Sequence, residues 1–150
     1  MRIGIDGRLW NETGVGRYIR NLVYNLSEID KKNEYVLFMR TEDHERITEQ
    51  ELRIKEKKWR IVDVDIRWHT IEEQIKFANI LNKENLDLMH FPYFSVPVNY
   101  KKPYVITIHD LILNHFPTGK ASTLPLPIYR LKRVGYKYVL ANAIKNAKKI

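Results

Sequence analysis

Apolar positions along this chain fall into short alternating runs separated by stretches with three- and four-residue steps. Ile3 and Ile5 alternate around Gly4 and run into Asp6-Gly7, the pattern of a buried strand. Val15, Ile19, Leu22 and Leu26 then recur at steps of four, three and four, which predicts one helix face ending near Ser27. Tyr35 to Met39 is an apolar run of strand length, and Trp59 to Asp65 alternates through Ile61, Val62 and Val64. The mixed-charge segment Thr41 to Lys58 between them reads as a solvated helix or loop. A second helix is predicted from His69 or Thr70 to about Asn82, with Ile71, Ile75 and Ala78 facing inward. Leu86 to His90 and the β-branched run Tyr104 to His109 give a fourth and a fifth strand. Pro92, Pro97 and Pro103 keep the connection between those two strands extended. A loop through Asn114–Gly119 leads to a final helix from Pro125–Pro127 to about Asn146, and Ala147 to Ile150 opens a further strand. Strands alternating with helices at this spacing predict one α/β domain over 1–150, a Rossmann-like, doubly wound parallel sheet.

Composition narrows the chemistry. The 150 residues are 44% hydrophobic and 11% aromatic, enough for a packed core. With no cysteine, disulfides, thiolate metal sites and cysteine nucleophiles are excluded together. Arg2, Asp6 and Arg8 interrupt any signal-peptide pattern, and no apolar run reaches membrane-spanning length. A cytoplasmic location is the expectation, with peripheral contact at the inner face of the membrane. The net charge of +8 is uneven: residues 1–110 hold 18 Lys/Arg and 18 Asp/Glu, and residues 111–150 hold eight Lys/Arg and no acid. A polyanionic partner is therefore sought at the C-terminal end.

Three stretches fall at the carboxyl ends of predicted strands, where open α/β sheets bind ligands. Thr13-Gly14-Val15-Gly16 follows the first strand and opens a helix, an arrangement that offers close backbone N–H groups and a helix dipole to a phosphate. The same glycines equally suit a turn that only lets the helix pack close to its strand. The dinucleotide fingerprint fits poorly, because Ile19 stands where a third glycine or alanine is wanted, and no P-loop GKS or GKT occurs. His90-Phe91-Pro92-Tyr93 ends the fourth strand and His109-Asp110 the fifth. A histidine there can donate to a sugar hydroxyl or phosphate oxygen, or can merely cap strand backbone. His90, His109 and His115 lack close ligand spacing, so no metal site is expected.

The pairing of the RIGIDGR opening with TGVGRY, and the string Val105-Ile-Thr-Ile-His-Asp-Leu111, resemble the N-terminal domain of retaining GT-B glycosyltransferases. The resemblance covers nearly all of this sequence and implies the N-terminal, acceptor-side half of a GT-B architecture. It assigns Gly14 and Gly16 to the diphosphate of a nucleotide-sugar donor and places His109 beside the transferred sugar, with Asp110 orienting it or touching the acceptor. It implies acceptor contacts at His90, Tyr93 and Ser95. The implied reaction moves a hexose from the donor to a glycan or lipid-linked acceptor with retention, needing no cofactor and no divalent ion. Most donor contacts belong, by the same resemblance, to a C-terminal domain outside these 150 residues, so little activity is expected of this chain alone.

The final predicted helix carries Arg130, Arg133 and Lys137 with Tyr129 and Tyr136 nearby. It suits anionic lipid headgroups or a lipid-linked phosphate, though a basic face that serves only solubility has the same composition. No nucleic-acid motif occurs, so nucleic acid is not an expected partner. The other function class left open is a non-catalytic module holding a nucleotide or polyanion, alone or paired with a separate chain.

Overall fold

The computed structural model describes residues 1–47, 58–110 and 126–150. Five strands, β1 (Arg2–Asp6), β2 (Glu34–Met39), β3 (Trp59–Asp63), β4 (Leu88–Phe91) and β5 (Tyr104–Ile106), form one all-parallel sheet in the order β3-β2-β1-β4-β5. The chain runs outward from β1 through β2 to β3, then returns to lay β4 on the other side of β1. The direction of winding thus reverses between β1 and β4. The predicted start of a further strand is present too. Lys149 bridges Val105 in parallel, and the Lys148 N–H donates to the Tyr104 carbonyl at 2.8 Å.

Strand β2 shows why the apolar runs are continuous. Tyr35, Leu37 and Met39 point into one core with Ile5, Trp10, Ile19 and Val23, while Val36 and Phe38 point into the other with Phe77, Leu81, Met89, Phe91 and Ala143. A strand buried on both faces needs apolar residues at every position. Helix α1 (Gly14–Ile29) covers the first face. The second is covered by α4 (Leu126–Asn146) and by α3, a π-helical turn Glu73–Phe77 continuing as the α-helix Ala78–Lys83. The short α2 (Thr41–Arg46) occupies the start of the charged segment, the rest of which, to residue 57, lies outside the described residues. The Asn114–Gly119 loop with His115 also lies outside them, as does Pro125.

Two helix faces differ from those expected. In α1 the buried stripe is Gly16, Ile19, Val23 and Ser27, so the line through Val15, Leu22 and Leu26 is its partly buried flank. In α3 the inward residues are Glu73, Phe77, Ala78 and Leu81, whereas Ile71 and Ile75 are 81% and 55% exposed. The π turn changes the residue spacing, and a buried partner for Glu73 turns that charged residue inward. The fifth strand stops at Ile106, not His109, which leaves Thr107 to Asp110 as irregular backbone at the sheet's end.

Candidate functional site

A cavity of about 420 Å³ opens at the carboxyl ends of the strands, lined by Leu9, Glu12, Thr13, Gly14, Val15, Trp68, Tyr93, His109 and Asp110. Each lining segment follows a strand: Leu9–Val15 after β1, Trp68 after β3, Tyr93 after β4 and His109-Asp110 after β5. The cavity therefore spans the point where the winding reverses, the location at which open α/β sheets take ligands.

The two glycines do different things. At Gly14 an added Cβ would meet nothing within 4 Å, so the residue leaves open space at the N-terminus of α1. Thr13, before it, makes no side-chain capping bond, and the first turn carries no acid. The first-turn N–H groups of α1 thus open at the cavity, where the Glu12 carboxylate also stands. Gly16 is buried and does not line the cavity. A Cβ there would run into the Trp10 carbonyl and would stand 2.8 Å from the Leu9 carbonyl oxygen. Its role is close packing of the helix under the Leu9–Trp10 loop.

The His109 Nε2 lies 3.0 Å from the Pro92 carbonyl oxygen. A carbonyl only accepts, so Nε2 carries the proton, and in the neutral ring Nδ1 is left as an acceptor. The edge of the Tyr18 ring meets the His109 ring at 5.1 Å between centroids. Behind this pair, the Tyr18 hydroxyl and the His90 Nε2 both reach the Thr107 Oγ1, at 3.1 and 3.0 Å. His90 does not line the cavity. Burial holds its pKa down to about 4, so the ring is neutral near pH 7 and serves the wall. Tyr93 does line the cavity, with its phenol pushed up by burial and by nearby Tyr136 and Asp110. Ser95 is buried, and its hydroxyl donates to the Glu73 carboxylate at 2.6 Å, away from the lining.

Of the residues predicted for a site, Gly14, Tyr93, His109 and Asp110 come together in one cavity. Gly16, His90 and Ser95 stand behind it. Arg130 and Lys137 are exposed on α4 and Arg133 is half-buried; none lines the cavity. The sequence reading missed Glu12, Trp68 and the supporting pair Arg8 and Glu73. Thr70 with Glu73 three residues on is a helix-start signature that would have marked Glu73. The lining holds, among the described residues, two carboxylates, Glu12 and Asp110, and neither lysine nor arginine. Among the described residues no group of three histidines or acids is placed to hold a metal. No protein-family model, curated protein or solved structure matches this chain.

Proposed function

We propose that the chain is the acceptor-side domain of a GT-B glycosyltransferase that transfers a hexose from a nucleoside diphosphate sugar to a hydroxyl, with retention. The single observation that supports this most is that Gly14 and His109, from opposite ends of the described sheet's chain order, line the same cavity. The first-turn N–H groups of α1 can face a phosphate oxygen, and the His109 Nδ1 can accept from a sugar hydroxyl. Trp68 and Tyr93 offer aromatic faces to the C–H side of a sugar, and Glu12 and Asp110 offer acceptors to its hydroxyls. The reading puts a neutral sugar along that wall and the diphosphate at the helix end. The remaining cationic donor contacts would come from a second domain, which is why turnover by these 150 residues alone is expected to be very low.

The test is calorimetric titration of the chain with nucleoside diphosphate sugars, alongside a Gly14→Asp variant that puts a carboxylate at the helix end. Weak saturable binding that the variant loses is expected. Absence of binding, or equal binding by the variant, overturns the reading.

Helix α4 adds a membrane-facing surface to this reading. Seven Lys/Arg and no acid occur from 126 to 150, and Leu131, Val134 and Tyr138 stand 73%, 66% and 64% exposed. Apolar side chains beside positive charge suit the surface of an anionic bilayer. Among the described residues no helix is long and apolar enough to cross a membrane.

A further inference from the structure

Beneath the cavity lies a buried charged cluster that the functional reading does not use. Arg8 is 2% exposed and Glu73 fully buried. The Arg8 Nε and Nη2 donate to the two Asp6 carboxylate oxygens at 2.9 and 2.7 Å, and Nη2 also reaches the Glu73 Oε1 at 2.6 Å. The guanidinium lies 3.8 Å over the Phe77 ring, and its Nη1 donates to the Ile66 carbonyl at 3.3 Å. The other Glu73 oxygen, Oε2, accepts from the Ser95 hydroxyl at 2.6 Å and from the His69 backbone N–H at 2.9 Å.

A buried ion pair of this kind is weak evidence of stabilisation, because desolvation offsets much of the attraction. What the cluster does have is leverage on the cavity wall. His69 sits in left-handed backbone, φ 60°, a conformation that is strained for a side chain with a Cβ and persists only where its surroundings fix it. The Glu73 carboxylate supplies that restraint through the His69 N–H, directly beside Trp68. The His69 ring meets Tyr93 at 5.6 Å and Phe94 at 5.1 Å between centroids. Ser95, held by the same carboxylate, ends the turn that carries Tyr93. Arg8 adjoins Leu9 in the lining and holds Ile66, two residues before Trp68. The π turn that brings Glu73 and Phe77 to Arg8 is a rare geometry, found frequently at functional sites.

We propose that Glu73 is a positioning residue that, through Arg8, Ser95 and the His69 backbone, fixes where Trp68 and Tyr93 stand in the cavity wall. The three wall segments after β1, β3 and β4 then share one buried anchor. Loss of the anchor frees the aromatic wall while the sheet stays folded. This goes beyond the sugar-transfer reading and is tested without any ligand, so the two can fail separately.

The experiment is fluorine NMR of the chain labelled with 5-fluorotryptophan, which reports Trp10, Trp59 and Trp68 individually once Trp59→Phe and Trp68→Phe variants assign them. Trp59, on β3 and stacked on Tyr35 at 4.3 Å, is the internal control. In Glu73→Gln the Trp68 resonance is expected to move by more than its linewidth or to split, with the Trp59 resonance in place. Ser95→Ala, which removes one hydroxyl, should give a smaller change of the same kind. If Glu73→Gln fails to fold, Ser95→Ala, which leaves every charge of the cluster in place, decides the question. A lower melting temperature with an unmoved Trp68 resonance, in whichever of these variants folds, shows a merely structural pair and overturns the proposal.

Discussion

The Tyr18 hydroxyl lies 3.1 Å from the Thr107 Oγ1, and that contact ties the first helix to the irregular backbone beyond β5. The same tyrosine ring packs edge-on against both His90 and His109. One side chain thus links the helix that opens at the cavity to the histidine that lines it. Tyr18→Phe removes only the hydroxyl and is expected to cost about 1 kcal/mol in urea unfolding. Tyr18→Ala also removes the ring behind His109, and a loss of about 3 kcal/mol is expected. Equal losses in the two variants would mean that the ring contributes nothing to the wall.

Gly14 and Gly16 should respond in opposite directions. Gly14→Asp meets open space and sets a carboxylate at a helix N-terminus, a favourable place worth about 0.5 kcal/mol. Its melting temperature should hold or rise while nucleotide-sugar binding is lost. Gly16→Ala presses a methyl group onto the Leu9 and Trp10 carbonyls, which are backbone and yield little. A destabilisation of about 2 kcal/mol is expected. Thermal melts of both variants check the pair, and a Gly16→Ala chain as stable as the wild type would show that the loop over α1 is loose.

The His90 environment gives a pH dependence whose sign is fixed. Burial lowers the folded pKa from 6.5 to about 4, so between those values the unfolded chain binds a proton that the folded chain does not. The associated stability is complete above about pH 6.5 and drains away as pH falls towards 4. At most it amounts to roughly 3 kcal/mol. His90→Gln keeps a hydrogen-bonding group near Thr107 and cannot titrate, so its stability should fall less across that range. His69, also held down by burial and by Arg8 and Lys132, leaves a residual slope of the same sign. Urea midpoints measured from pH 7 to 4 that fall in parallel for both proteins would contradict this account.

The sequence made the sheet legible because β2 is buried on both faces and reads as the continuous run Tyr35–Met39, while β1 and β3 read from their alternation. It made the ends of β1 and β5 legible because glycines and a His-Asp pair stand where a parallel sheet presents them. What it hid was the third dimension of α3. Reading Ile71 and Ile75 as the inner face assumed an uninterrupted α-helical period. The π turn and the Arg8 partner reverse that assumption, placing a glutamate inside and two isoleucines in solvent. Trp68 was hidden for a related reason, since it stands in irregular backbone held from below by Glu73 and carries no periodic signal of its own. Ser95 was legible as a polar residue near the site, but not as one facing away from it.

The α4 surface supplies the last prediction. If the helix lies on an anionic bilayer, its basic and apolar residues should fail in distinguishable ways. Arg130→Gln and Lys137→Gln each remove one exposed charge from a region that has no acid. Each should weaken cosedimentation with phosphatidylserine-containing vesicles by about 1 kcal/mol, or about fivefold. That loss should shrink as salt rises, because the attraction is screened over a Debye length. Leu131→Ser and Val134→Ser remove apolar area that is exposed in the free chain, so their effect should persist at high salt. All four residues are exposed, and melting temperatures should stay close to that of the wild type. Vesicle binding that disappears entirely with salt, and that ignores Leu131 and Val134, would reduce the surface to a diffuse electrostatic attraction. Binding absent even at low salt would remove the membrane from the account and leave α4 a solvated basic helix.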